Sequence, residues 1–167
     1  TMDDAREMVV AAEGARRLLM VSQNRRYMPT LQAFRDAVAG LGTLAGVNCD
    51  FYIGHRVDPG RFVTAMEDPL LLDMAIHLFD AARFVTGAEP VSVYCESYSP
   101  PWDWYAGHSA ANALFRMTGD VRLAFNGSWS FDGFPTSWTG RWRAFGERGS
   151  AMWDGARAPR VQAAPGV

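Results

Sequence analysis

The segment from Asp68 to Gly87 constrains the fold more than any other part of the chain. Asp68 can cap a helix, Pro69 suits the first helical position, and Gly87 can end the helix in a left-handed conformation. Almost every side chain between them is apolar, so the pattern predicts a helix over 69–86 that is buried nearly all round. The exceptions that matter most are Asp73, His77 and Asp80.

These three polar residues lie at positions i, i+4 and i+7, which confines them to a helical arc of roughly 60°. A polar stripe on a buried helix should face a cleft, because an unpaired buried charge is costly. A carboxylate one turn from an imidazole can orient the ring, and its charge favours the imidazolium form. The stripe therefore indicates general acid/base chemistry, with His77 transferring the proton and Asp73 orienting it and binding a substrate hydroxyl.

Two other interpretations of the stripe stay open. An Asp–His pair at this spacing is often a structural polar pair, since ion pairs inside folds mimic catalytic sites. All three residues could instead bind a metal, but ligands from one helical face rarely converge on one ion. His55 and His108 add no ligand spacing, so we expect no metal.

The remaining chain predicts an α+β fold with an open, mostly antiparallel sheet that has helices on one face. A helix capped by Thr1 and ended by Gly14 precedes a short buried strand at 18–21, a unit that would close a doubly wound sheet. Pro29 begins a second helix, and 43–53 predicts a long strand. Further strands are expected at 91–98, 109–117, 120–131, 138–147 and 150–154.

We therefore divide the chain into a helix–strand unit of a truncated nucleotide-binding domain at 1–28, a main domain at 29–155, and a disordered tail at 156–167. The strand around Phe125 alternates aromatic and polar residues, so one of its faces must be covered. A helix is the ordinary cover. Alternatively, the chain is a non-catalytic module that uses Trp129, Trp138 and Trp142 to dimerise or to bind an apolar ligand.

Composition excludes several partners. The net charge is −2 and the charges are scattered, so no surface of one sign is expected to bind nucleic acid. No apolar run approaches the roughly 20 residues that span a bilayer, so we expect no membrane association. Cys49 and Cys95 are far apart and form no C-x-x-C pair, which fits a reducing, cytoplasmic location.

Two stretches resemble a known family. Asp73-Met-Ala-Ile-His77-Leu-Phe-Asp80 is similar to the D-x-x-x-H-x-x-D helix of the glucose-fructose oxidoreductase, inositol dehydrogenase and rhizopine-catabolism (Gfo/Idh/MocA) family. The stretch 23–29, Gln-Asn-Arg-Arg-Tyr-Met-Pro, resembles its N-x-R-[FY]-x-P crossover, and 147–153 resembles a late strand pair. The resemblance implies that His77 and Asp73 are catalytic. It also implies that Asp73, Asp80 and Arg25 contact substrate, and that Asn24 and Arg25 lie near the nicotinamide.

The implied protein is an oxidoreductase that uses NAD or NADP on a polyol, sugar or related hydroxyl compound, and forms a homo-dimer or tetramer through its sheet. Family members begin with a strand, a glycine-rich turn and a helix of a Rossmann domain, followed by a Glu-Lys-Pro motif, none of which is present here. The stretch 40–45 spells G-x-G-x-x-A but follows a helix, so it predicts a helix stop. We therefore expect this piece alone to be inactive and not to bind the dinucleotide.

Overall fold

The computed structural model describes residues 1–58 and 60–166, and the strands in this part form one open sheet. The strands are β1 Leu44–Tyr52, β2 Pro90–Tyr98, β3 Ala110–Met117, β4 Arg122–Ser128, β5 Arg141–Gly146, β6 Gly149–Trp153 and β7 Arg160–Ala163. Their order is β2-β3-β4-β1-β5-β6-β7, in which β1 and β4 are parallel and all other neighbours are antiparallel. The predicted α+β fold with an open, mostly antiparallel sheet is confirmed.

Helices cover one face of this sheet and create the core. The helices are α1 Met2–Gly14, α2 Pro29–Ala39 and α3 Ile76–Thr86. As predicted, α2 begins at Pro29 and ends before Gly40, and it buries Leu31, Phe34 and Val38. Phe34 stacks on Trp153 at 5.7 Å between ring centroids and also contacts Trp142 at 6.4 Å. Aromatic packing between α2 and the sheet therefore fixes the position of α2 on the sheet.

The aromatic face of the sheet is consequently interior. Trp129 and Trp142 are each 1% exposed, because Trp142 packs against Phe34 of α2 and Trp129 packs against His55 and Tyr105. The alternative in which Trp129 and Trp142 dimerise the chain or bind an apolar ligand does not fit this burial. Trp138, which is 50% exposed, is the member of the three that stays at the surface.

The helix predicted over 69–86 exists, but its first part is a π-helix. Residues Leu70–Ala75 are π-helical, and regular α-helix follows from Ile76. Gly87 ends the helix in the left-handed conformation (φ 65°), and its N–H donates to the carbonyl of Arg83 at 2.9 Å. The predicted side-chain cap was wrong: one oxygen of Asp68 is buried without a partner in the described part of the chain. The wider π-turn buries Leu70, Met74 and Ala75 together.

The N-terminal segment matches the prediction only in part. Helix α1 has the predicted capping box between Thr1 and Asp4, yet none of its residues is buried. Residues 18–21, which we predicted to be a buried strand, are exposed and unpaired, because no strand of the described chain lies beside them. Assignment of 1–28 to a nucleotide-binding domain stays a prediction.

The C-terminal segment is more ordered than predicted. Arg160–Ala163 forms β7 and pairs with β6, so the disorder predicted for 156–167 was wrong over these residues. A turn leads into this strand, since the Asp154 carboxylate accepts the backbone N–H groups of Ala156 and Arg157. An antiparallel partner thus orders a stretch whose composition alone suggested a tail. Val167 lies outside the described residues.

Candidate active site

The candidate site lies at the edge of the sheet where the two parallel strands end. Because β1 and β4 run in the same direction, the segments that follow them meet at this edge. There the His55 ring packs against Trp129 at 5.1 Å, and Trp129 stacks on Tyr105 at 5.8 Å. The Tyr105 hydroxyl donates to the carbonyl of His55 at 2.6 Å. His55, Trp129 and Tyr105 therefore form an aromatic cluster at this edge, near Asp73 of the π-helix.

The His77 side chain is partly exposed and is held by a residue outside its own helix. Its Nδ1 lies 3.1 Å from Oε1 of Gln23, in the segment that leads to the Asn24–Tyr27 turn. With the Gln23 amide oriented so that its oxygen faces the ring, the contact requires the proton on Nδ1, because an amide oxygen only accepts hydrogen bonds. The other nitrogen, Nε2, then carries a free lone pair. We had expected Asp73 to orient this ring, and the structure gives that position to Gln23.

The environment of His77 favours the neutral imidazole. Burial lowers its pKa, and the positive charge of Arg25 lowers it further, against the opposing charges of Asp73 and Asp80. The carboxylates do favour the imidazolium form, as expected, but desolvation and the cation outweigh them, so the net shift is toward the neutral ring. A neutral imidazole with a free Nε2 is suited to accept a proton.

Arg25 brings a positive charge into the interior beside His77. Its Nη2 donates to the sulfur of Met74 at 3.3 Å, and burial lowers the pKa of the guanidinium. Its Nη1 is buried and has no hydrogen-bond partner among the described residues. Such a donor is costly to leave without an acceptor, so it marks a place where a ligand oxygen would be stabilised.

The third residue of the stripe, Asp80, is engaged by an arginine. Its two oxygens accept bonds from Nη2 and Nε of Arg26 at 2.5 and 2.8 Å, in the paired geometry that fits a carboxylate. The Asp80 side chain is only 10% exposed. The predicted contact between Asp80 and substrate is therefore not what the geometry favours. The ion pair instead fastens the Asn24–Tyr27 turn to α3, which keeps Gln23 beside His77.

Asp73 differs from Asp80 in having no hydrogen-bond partner among residues 1–58 and 60–166. Its charge opposes the lowering of the pKa of His55 and His77, and it contributes to the raised pKa of Tyr105, which burial brings to about 12. Asp73 is thus near all three rings while its oxygens remain free. This arrangement suits binding of hydroxyl groups.

Sequence reasoning missed three residues of the site. Gln23 stands one position before the matched crossover motif, and His55 follows the end of β1. We considered His55 only as a metal ligand, although the carboxyl end of a parallel strand is a common place for other ligands too. Nothing in the local sequence signals Tyr105. Asn24, a predicted cofactor contact, is exposed at the start of the Asn24–Tyr27 turn.

The stripe does not form a metal site. In the part of the chain described, no three His, Cys, Asp or Glu side chains stand close enough together to bind an ion. In particular, His77 and Asp80 face different partners, Gln23 and Arg26. Among the same residues, no helix is both long and apolar enough to cross a bilayer.

The structure is an α+β domain with helices on one face of an open mixed sheet. It carries a His–Asp stripe at the sheet edge, and these two features define its class. Residues 31–152 match the GFO/IDH/MocA C-terminal domain, and the chain belongs to that family. It is 33% identical over 94 residues to the rhizopine catabolism protein MocA of Rhizobium meliloti, covering 55% of this chain and 29% of that protein. It is 36% identical over 90 residues to D-apiose dehydrogenase of Paraburkholderia graminis, covering 52% of this chain and 24% of that enzyme.

Solved structures show the same fold over nearly the whole chain. An oxidoreductase from Agrobacterium radiobacter in complex with NAD+, L-tartaric acid and magnesium superposes with a TM-score of 0.81 at 20% identity, covering 98% of this chain and 51% of that one. The chain therefore spans about half the length of this structural relative and less than a third of the two curated relatives above.

Proposed function

We propose that this chain is the substrate-binding and acid/base part of an NAD(P)-dependent oxidoreductase that acts on a polyol, a sugar or a related hydroxyl compound. The observation that carries the proposal is His77: its ring is oriented by Gln23, its pKa is lowered, its Nε2 has no partner among the described residues, and the charge of the Asp73 carboxylate acts on it. Family membership and the names of relatives such as D-apiose dehydrogenase support the same chemistry.

In the proposed reaction, Asp73 accepts hydrogen bonds from substrate hydroxyls and places a secondary alcohol against His77. Nε2 of His77 takes the hydroxyl proton while the C–H hydrogen of the same carbon leaves as hydride, so the alcohol becomes a ketone. Gln23 continues to hold Nδ1, and the ring carries the proton as imidazolium until it passes to solvent. The lowered pKa of His77 favours this role because the free enzyme then holds the ring in its basic form near neutral pH.

The chain's residues fit one end of a nicotinamide cofactor. The bound nucleotide would supply the hydride acceptor. Arg25 acts on His77 with its charge and has a buried Nη1 without a partner among the described residues, and the exposed Asn24 precedes it in the chain; these two residues would bind the carboxamide end of the nicotinamide. The Gly40–Ala45 stretch does not bind the phosphates, because it joins α2 to the start of β1, at the strand end opposite to His55. Pyrophosphate binding and the choice between NAD and NADP are not provided by the described residues.

The test is steady-state kinetics of the protein that contains this chain, with a polyol series and NAD+ or NADP+. We expect His77→Ala to lower kcat by about 10²–10⁴-fold, the range that a positioned acid/base contributes. His108→Ala, an exposed histidine away from the stripe, should leave turnover unchanged. Unchanged turnover in His77→Ala would rule out the assigned role. Asp73→Asn should raise KM for polyols with little effect on stability.

We also propose that subunits pair as a homo-dimer or tetramer through the open face of the sheet, the face opposite the helices. Tyr94, Leu114 and Phe145 are exposed there, and Tyr94 and Leu114 line a groove of about 490 Å³ with Arg116. An apolar patch of this kind on a sheet commonly marks a protein contact. Leu114→Arg should shift the sedimentation coefficient toward the monomer, whereas Val161→Arg on β7 should not.

A further inference from the structure

Asp103 is a partly buried carboxylate that the proposed reaction does not use. One of its oxygens accepts a hydrogen bond from the hydroxyl of Ser109 at 2.7 Å. The other accepts from the hydroxyl of Ser130 and, at 2.9 Å, from the backbone N–H of Tyr105. Burial alone would raise the pKa of Asp103, but these donors outweigh it and lower the pKa. Because both serines are 0% exposed, a charged group here organises the interior of the domain.

The two residues that follow this carboxylate in the chain both hold His55. The indole N–H of Trp104 and the hydroxyl of Tyr105 donate to the carbonyl of His55 at 3.0 and 2.6 Å. The backbone N–H of His55 donates to the carbonyl of Trp129 at 2.8 Å. Its ring packs against Trp129 and Trp138, each at 5.1 Å between ring centroids. Contacts from outside its own loop therefore fix the position of the His55 ring.

Asp103 also reaches His55 by a second route, through Trp129. Ser130 is the next residue in the chain after Trp129, and the carbonyl of Ser109 accepts the backbone N–H of Trp129 at 2.9 Å. The two serines that bind Asp103 thus flank the residue whose ring touches His55. Loss of this one carboxylate would release both sets of contacts with His55.

The His55 ring is available to a ligand near Asp73. Among the described residues, the ring nitrogens of His77 and His108 have hydrogen-bond partners, whereas those of His55 have none. Burial lowers the pKa of His55 and the charge of Asp73 acts in the opposite direction, so this carboxylate lies within electrostatic reach of the ring. A neutral imidazole offers one donor and one acceptor, which suits a hydroxyl group.

We infer that Asp103 is a positioning residue of the candidate active site: it sets the His55 ring near Asp73, so that these two side chains bind different hydroxyls of one substrate. The hydroxyl binding rests on the proposed function. The placement of His55 by Asp103 does not, because it is built from contacts within the chain. A carboxylate that served stability alone would affect unfolding and leave the surroundings of His55 unchanged.

The first part of the experiment is an NMR titration of the histidine rings, which number three and can be assigned with His55→Gln. Asp103→Ala should raise the pKa of His55 toward the ordinary value of about 6.5, because the released ring becomes more solvated. Asp103→Asn keeps an oxygen for the N–H of Tyr105 and should restore most of the parent value. Tyr105→Phe removes one donor to the His55 carbonyl, so it should act in the same direction as Asp103→Ala but less strongly.

The matched control is Asp154→Ala. Asp154 also accepts two backbone N–H groups, but it does so in the turn that leads into β7. Its loss should lower the urea midpoint and leave the pKa of His55 unchanged. An unchanged His55 pKa in folded Asp103→Ala, or an equal shift in Asp154→Ala, would overturn the inference. If Asp103→Ala does not fold, an unchanged pKa in Tyr105→Phe decides against it in the same way.

The second part is steady-state kinetics of the protein that contains this chain, with the polyol that it turns over fastest. Asp103→Ala should raise KM by about three- to tenfold through the lost hydrogen bond, with kcat within about twofold of the parent. An unchanged KM would refute the hydroxyl binding by His55. Absence of turnover with every polyol in the parent protein would contradict the proposed function, whereas the placement of His55 by Asp103 is decided by the titration alone.

Discussion

The ion pair between Arg26 and Asp80 should be one of the few charged contacts with a measurable effect on stability. Exposed pairs contribute about 0–1 kcal/mol, whereas removing one partner of a buried pair costs about 3–5 kcal/mol. Here Asp80 is 10% exposed and Arg26 is 38% exposed, with two short bonds between them. Discounting for the solvent around Arg26, we predict a coupling energy of about 1–2 kcal/mol in a double-mutant cycle.

The cycle uses Arg26→Met, Asp80→Asn and the double variant, each unfolded in urea at neutral pH. The control is Glu89→Gln, since the Arg83–Glu89 pair has similar bond lengths of 2.7 and 2.9 Å but lies at the surface. It should change the free energy of unfolding by less than about 0.5 kcal/mol. A coupling below about 0.3 kcal/mol would refute the reasoning that this pair fastens the Asn24–Tyr27 turn to α3.

Three further outcomes follow from the same contacts. Arg25→Met should raise the pKa of His77, measured by NMR titration, because a neighbouring positive charge is removed; an unchanged pKa would contradict the placement of that charge. Burial lowers the folded-state pKa of both His55 and His77, so the unfolded chain takes up protons first on acidification. Their contribution to stability is complete above the unfolded pKa of about 6.5 and is lost as pH falls through the lowered folded values. Urea midpoints should therefore drop between about pH 7 and 5, and a rise would contradict this. Trp142→Ala should lower the free energy of unfolding by about 3–5 kcal/mol through the cavity it leaves, whereas Val161→Ala, at a side chain that is 58% exposed, should have little effect; equal effects would show that Trp142 is not core.

Much of the fold could be predicted because short-range signals dominate it. Pro29, Gly40 and Gly87 mark helix ends through backbone geometry that depends on few neighbours, and the structure places helix ends there. The alternation along β1 and β4 likewise shows which residues face the core. The predictions that failed depend on pairing between strands. Residues 18–21 have no neighbouring strand in the described chain, whereas residues 160–163 pair with β6.

The candidate site was predicted only in outline for a similar reason. Asp73 and His77 could be chosen from helical spacing. However, the π-helix at Leu70–Ala75 changes the angle between their side chains around the helix axis, and no simple sequence pattern signals a π-helix. The partner of His77, Gln23, lies 54 positions away. The sign of the pKa shift also depends on burial and on Arg25, neither of which can be read from the spacing of carboxylates.

The most direct test of the account is ¹⁵N and ¹³C NMR of the His77 ring as a function of pH. We predict a neutral ring protonated at Nδ1, with a pKa below the ordinary value of about 6.5, and loss of the single tautomer in Gln23→Leu. A pKa above that value would leave the ring protonated near neutral pH, and a proton on Nε2 would put the basic lone pair on Nδ1 beside Gln23; either result would contradict the proposed function.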